Sequence, residues 1–147
     1  MSDLYQLDRF VNAQNRVFET VLNELNAGKK QSHWMWYVFP QLKGLGHSSL
    51  SEFYGIIGID EARAFFSDPI LRNRYHECLE ILLNIPRNNP VDIFGYTDSI
   101  KFLSSLTLFS FVEPDNTLIQ KLINKYFNGI TDFNTKKLLG IVCDIYL

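Results

Sequence analysis

No apolar run in this sequence is long enough to cross a bilayer: the densest, residues 34–40, falls far short of the roughly 20 residues a spanning helix needs. Cysteine is scarce. Cys78 and Cys143 stand in no CxxC or Cys/His spacing, which excludes a zinc site and suggests reduced core thiols in a reducing compartment. Excess charge is missing too, since a formal net charge of -2 denies the concentrated basic surface that general nucleic-acid binding requires. Residues 1–14 are polar and mixed in charge, with no basic-then-apolar leader, so the expected location is the cytoplasm. No internal repeat, low-complexity tract or strand alternation with hairpin turns is visible, which excludes repeat arrays and β architectures.

What is present is helical periodicity. At 46% hydrophobic and 20% charged, 147 residues fit one globular domain, 1–147, with its own core. Val17, Phe18, Val21, Leu22 and Leu25 form the stripe of a helix over residues 15–27 that Gly28 ends, with Asp8 capping a separate turn ahead of it. Short helices follow at 51–56 and 60–66. Asp68-Pro69 is a specific start signal for a helix running to Pro86. Residues 91–94 form one turn that Gly95 ends. Thr97 or Asp98 then caps a helix through Ser110, with Ile100, Leu103, Leu106, Thr107 and Phe111 on one face. Asn116 caps residues 117–127, and Asn134 starts a last helix carrying Leu138, Leu139, Val142 and Ile145. The expected fold is an all-α, multi-helix globule with short connections.

The densest segment is Ser32-His33-Trp34-Met35-Trp36-Tyr37-Val38-Phe39-Pro40-Gln41, followed by Gly44-Leu45-Gly46. Ser32 can cap a helix from His33 that Pro40 stops, with a strand as the rival because Trp, Tyr, Val and Phe favour extended structure. Residues two apart on a helix point different ways, so one tryptophan anchors the core and the other faces a cleft or a partner. Gly44-Leu45-Gly46 lacks the third glycine and the preceding strand of a dinucleotide fingerprint. It reads as a turn that lets Gln41 and nearby amides approach another group.

Candidate chemistry is sparse. His33 can serve as an acid, a base or an anion donor, but capping or core packing explains it better, and no second ligand stands at metal spacing. His47 and His76 read as surface residues. Lys101 with Ser104 and Ser105 sets an ammonium and hydroxyls on one side of a helix, which suits a phosphate or carboxylate as well as plain packing does. Arg74 and Glu77 read as an ion pair. Asp132 and Thr135 sit at a helix start, where capping and catalysis explain them equally.

The segment 32–41 with Gly44-Leu45-Gly46, together with Ile93-Phe94-Gly95, Asp98, Lys101 and Ser104-Ser105-Leu106-Thr107-Leu108-Phe109, resembles the domain-of-unknown-function family 1810. Phe10-Val11-Asn12-Ala13-Gln14, Tyr54-Gly55-Ile56, Glu61-Ala62-Arg63-Ala64, Asp68-Pro69 and Tyr126-Phe127 extend the likeness over nearly the whole chain. The resemblance implies a single all-helical domain and no settled activity. Members are often labelled calpastatin, an inhibitor that is repetitive and largely disordered, whereas this chain has the capped stripes of a folded domain. One departure is Arg72, where the family tends to have glycine.

These readings converge on one cleft lined by His33, Trp34, Trp36 and Gln41 and completed by Lys101, Ser105 and Asp132. Its expected ligand is an anionic, nucleotide-like or otherwise phosphorylated small molecule, with no cofactor or metal. His33 and Asp132 are the candidates for proton transfer. The rival expectation is a protein-interaction module that docks a partner on the same aromatic surface, without catalysis.

Overall fold

A computed structural model describes residues 4–140, and among them every regular element is a helix. The chain runs α1 (Asp8–Asn26), α2 (Met35–Val38), α3 (Ser49–Tyr54), α4 (Ile59–Ser67), α5 (Pro69–Asn84), α6 (Pro90–Val112), α7 (Thr117–Phe127) and α8 (Phe133–Leu138). The all-α expectation holds. Val142, Cys143 and Ile145 lie outside the described residues.

Helix α1 is longer than its stripe suggested, because the turn at Asp8 is continuous with it. Phe10 and Gln14 extend the buried face one turn towards the N-terminus, and Asp8 sits in the first turn rather than at the cap. Gly28 does end the helix. Lys29 N–H bonds Glu24 O and Gly28 N–H bonds Leu25 O, a Schellman closure that needs the left-handed φ of 75° at Gly28. A methyl there would also collide with the Arg87 guanidinium, which donates to Gly28 O at 2.7 Å.

The Asp68-Pro69 signal is realised: Asp68 accepts from Ile70 N–H at 2.9 Å and Leu71 N–H at 3.1 Å. Asp68→Ala should cost about 1 kcal/mol in chemical unfolding, and a change within error would show that Pro69 alone sets the start. Arg72, the departure from the family pattern, pairs with Glu113 at the end of α6. The expected Arg74–Glu77 pair does not form, because Arg74 reaches across to Gln14 and Asn15 of α1. His76 is half-buried rather than free on the surface, its ring bridging Arg72 O and the Asn116 side chain. Lys125 of α7 donates to Leu82 O, Leu83 O and Ile85 O at the end of α5, and burial lowers its pKa.

Helix α6 is the central post, in contact with α2, α4, α7 and α8. It breaks at Gly95, whose φ of 79° and ψ of 169° leave the helical region, as the glycine suggested. Its expected single apolar face is corrected. Residues Phe102, Ser104, Ser105, Leu106, Thr107, Leu108 and Phe109 are all buried, whereas Ile100 is 46% exposed. A helix packed on several sides has no solvent face to alternate with, so its stripe is lost. The buried hydroxyls are satisfied locally: Ser104 bonds Ile100 O and Thr107 bonds Leu103 O. Thr97 and Asp98 do not cap the second half, because Asp98 pairs with Lys30 and Lys101.

Phe39 joins these layers, its ring 5.0 Å from Phe102, 5.4 Å from Tyr75, 6.1 Å from Trp34 and 6.2 Å from Phe94. Cys78 lies in the same core, where burial pushes its thiol pKa up and keeps it protonated.

Candidate functional site

The aromatic run does not start as a helix at His33. Ser32 caps nothing, because Glu24 near the end of α1 claims it: the carboxylate accepts Ser32 N–H and Oγ–H, Gln31 N–H and the Trp34 indole N–H. Burial pushes the Glu24 pKa up, but the Ser32 hydroxyl, the two amides and the indole outweigh it and bring it from 4.5 to about 2. Residues 31–34 are therefore held as a bent, non-helical segment against α1, and only Met35–Val38 turn into helix. The strand rival is not realised either.

This arrangement sorts the two tryptophans. Trp34 is fully buried with its indole N–H bonded to Glu24 at 2.9 Å, so it belongs to the core and leaves the expected cleft. Trp36 is half-buried beside Lys101, whose Nζ lies 4.9 Å from the ring centroid. Ser105 also leaves the cleft: it is fully buried and shares a 2.9 Å hydrogen bond with Tyr75. Its neighbour Ser104, about 100° further round the helix, lines the space where Ser105 was expected.

Two chambers meet at Lys101. The first, about 380 Å³, lies between the 41–51 segment, α6 and the start of α8, and is lined by Gln41, His47, Ser51, Lys101, Ser104 and Asp132 among others. The second, about 350 Å³, is lined by Lys30, His33, Trp36, Tyr96, Asp98 and Lys101 among others. Between them, Trp36, Gln41, Ser51 and Lys101 surround a slot of about 10 Å³, enough for one water-sized atom. Lys101 lines all three spaces.

The electrostatics around Lys101 favour an anion. Asp98 is held by Lys30 at 2.7 Å and lies 3.7 Å from Lys101, so two ammonium groups share one carboxylate. The Lys30 side chain is only 6% exposed, which limits its solvent screening. Asp132 is differently placed: its Oδ2 caps α8 by accepting from Thr135 N–H at 2.9 Å and Thr135 Oγ1 at 2.6 Å, and Ser104 Oγ reaches it at 3.4 Å. All three contacts fall on Oδ2. Among the described residues Oδ1 has no donor, and it can accept from a group in the chamber.

The loop after the aromatic run is shaped by its glycines. A methyl on Gly46 would come within 2.5 Å of Ser51 Oγ and 3.5 Å of Gln41 Nε2, so glycine lets the loop close over these groups. A parallel bridge between Leu42 and Ile56 fixes the base of the segment. The expected sites are thus brought together in part. Gln41, Lys101 and Asp132 share the first chamber, Trp36 and Lys101 the second, and His33 lines the second only. His33 and Asp132 do not form an acid–base pair across one space. Lys30, His47 and Ser51 were not anticipated as lining residues. Lys30 was visible in sequence only as a neighbour of His33, and Ser51 as an ordinary helix residue.

The fold and the cleft define an all-helical protein with a two-chambered cleft of mixed polar and apolar lining, with no cluster of three or more metal-ligating side chains among the described residues. The chain belongs to the family described as protein of unknown function DUF1810, whose family model matches residues 4–139. It is similar to the solved structure of the conserved hypothetical protein Rv1873 from Mycobacterium tuberculosis. The two are 41% identical with a TM-score of 0.92, over 95% of this chain and 100% of that one. No curated protein matches the chain. Among the described residues no helix is long and apolar enough to cross a membrane.

Proposed function

We propose that the protein binds an anionic, nucleotide-like or otherwise phosphorylated small molecule in the cleft around Lys101. The observation that carries this reading is the sharing of one carboxylate, Asp98, by Lys30 and Lys101, which leaves a local positive balance in the second chamber and the slot, while Asp132 offsets Lys101 in the first. A phosphoryl group is the natural counter-charge. Trp36 and Tyr96 offer ring faces in the second chamber, and Asp132 Oδ1 offers an acceptor in the first.

The docking alternative has less surface to use, because Trp34 and Phe39 are spent in the core and only Trp36 and Tyr37 of the run's rings reach its edge.

The test is a thermal-shift screen against nucleotides, sugar phosphates and ADP-ribose derivatives. A ligand present at a hundred times its Kd stabilises the folded state by about 2.7 kcal/mol, which raises Tm by roughly 8 °C in a chain of this size. Lys101→Ala should abolish most of that rise, and His33→Ala should reduce it only for ligands that reach the second chamber. If no compound shifts the wild-type Tm, the cleft reading is abandoned.

A further inference from the structure

Trp36 Nε1–H is buried and meets no acceptor among the described residues. Buried side-chain donors are nearly always paired, so an orphan of this kind calls for a missing acceptor. Trp36 lines the one-atom slot between the chambers, and the other polar groups there are of matching kind. Among the described residues the Gln41 side-chain amide has no hydrogen-bond partner. Ser51 Oγ accepts from Ser48 Oγ at 3.0 Å, which leaves its own proton to give. The nearest carboxylate to Lys101 Nζ among the described residues is Asp98 at 3.7 Å, beyond direct hydrogen-bond range. Among the described residues no carboxylate lines the slot.

We infer that this slot is an oxyanion seat, in which Trp36 Nε1–H, Lys101 Nζ and the Ser51 and Gln41 donors hold a single phosphoryl or carboxylate oxygen of the ligand. The inference rests on the cleft reading above and deepens it by naming Trp36 as the specificity-determining donor. A seat of about 10 Å³ takes one oxygen and not a whole phosphate, so the remainder of the ligand stands in the first chamber. There Asp132 Oδ1 accepts a hydroxyl. The ligand class is therefore a hydroxylated oxyanion, with the anionic oxygen and the hydroxyl received by groups of opposite polarity.

The indole N–H signals of Trp34 and Trp36, recorded in ¹⁵N–¹H spectra of the wild-type protein, test this directly. AMP, ribose 5-phosphate and gluconate are the probes, and Trp36→Phe removes one signal and one donor while keeping a ring. The expected result is a downfield move of the Trp36 indole proton with at least one probe, no move of the Glu24-bonded Trp34 proton, and a Kd about tenfold weaker in Trp36→Phe. A response to the two phosphate esters alone makes the source phosphoryl, and a response to gluconate alone makes it carboxylate. If backbone amides of residues 41–51 move with a probe while the Trp36 indole stays still and Trp36→Phe binds equally well, the slot holds an ordered water only; the seat is overturned and the cleft reading stands. If no probe moves any signal from the cleft, the cleft reading fails and the seat fails with it. The wild-type indole signal keeps the test decisive should the variant fold poorly.

Discussion

Phe39→Ala is expected to lower the unfolding free energy by about 4 kcal/mol and the melting temperature by roughly 12 °C. The ring is 1% exposed and lies within 6.2 Å of four other aromatic rings, drawn from the aromatic run, α5 and both halves of α6. Truncation removes the transfer energy of the ring and leaves a cavity that rigid aromatic neighbours cannot collapse to fill. Phe39 also lines the slot beside Trp36, so the same variant should weaken ligand binding even below its melting temperature. Calorimetry alongside Ile57→Ala, a residue 75% exposed, provides the control. A Phe39→Ala loss no larger than that of Ile57→Ala would mean that the aromatic cluster is not the centre of the core.

Glu24→Ala should cost about 3 kcal/mol, because a charged acceptor is withdrawn from several donors at once and the Trp34 indole N–H is left buried without a partner. A carboxylate in the last turns of a helix opposes the helix dipole, so Glu24 is retained for these contacts and not for helix stability. Its folded pKa of about 2 lies below the ordinary 4.5. The stabilisation is therefore fully present above about pH 4.5 and is lost as pH falls towards 2. Urea unfolding of wild type and Glu24→Gln at several pH values across this window should show a steeper acid loss in the wild type. Parallel curves would remove Glu24 from the acid response. Releasing residues 31–34 also frees His33 beside the second chamber, so ligands that reach that chamber should lose affinity in the same variant.

Much of the frame was legible in the sequence because its signals are local. Asp68-Pro69, Asn116, Gly28 and Gly95 act within a turn of the positions they define, and each marks the boundary it was expected to mark. Ser32 misled because its hydroxyl had two uses, and a carboxylate eight residues earlier competes for it in a way that only folding reveals. The periodicity of α6 failed because a helix covered on several sides carries no stripe. The site was partly legible. Lys101 and Gln41 could be named from residue type and turn chemistry, whereas telling Ser104 from Ser105 requires the rotation of α6, and telling Trp36 from Trp34 requires knowing which one Glu24 takes.

The bridge between Leu42 and Ile56 has a further consequence. Lys43 N–H bonds Ile56 O and Ile56 N–H bonds Gln41 O, so the segment 42–56, which carries the short α3, is an excursion tied at its neck. Within it, residues 43–54 include none that is buried. It forms the outer wall of the first chamber, and between its buried ends only Leu45 and Tyr54 pack against the core. Insertions or exchanges at its tip are therefore expected to leave the helical frame intact while reshaping the wall of the first chamber.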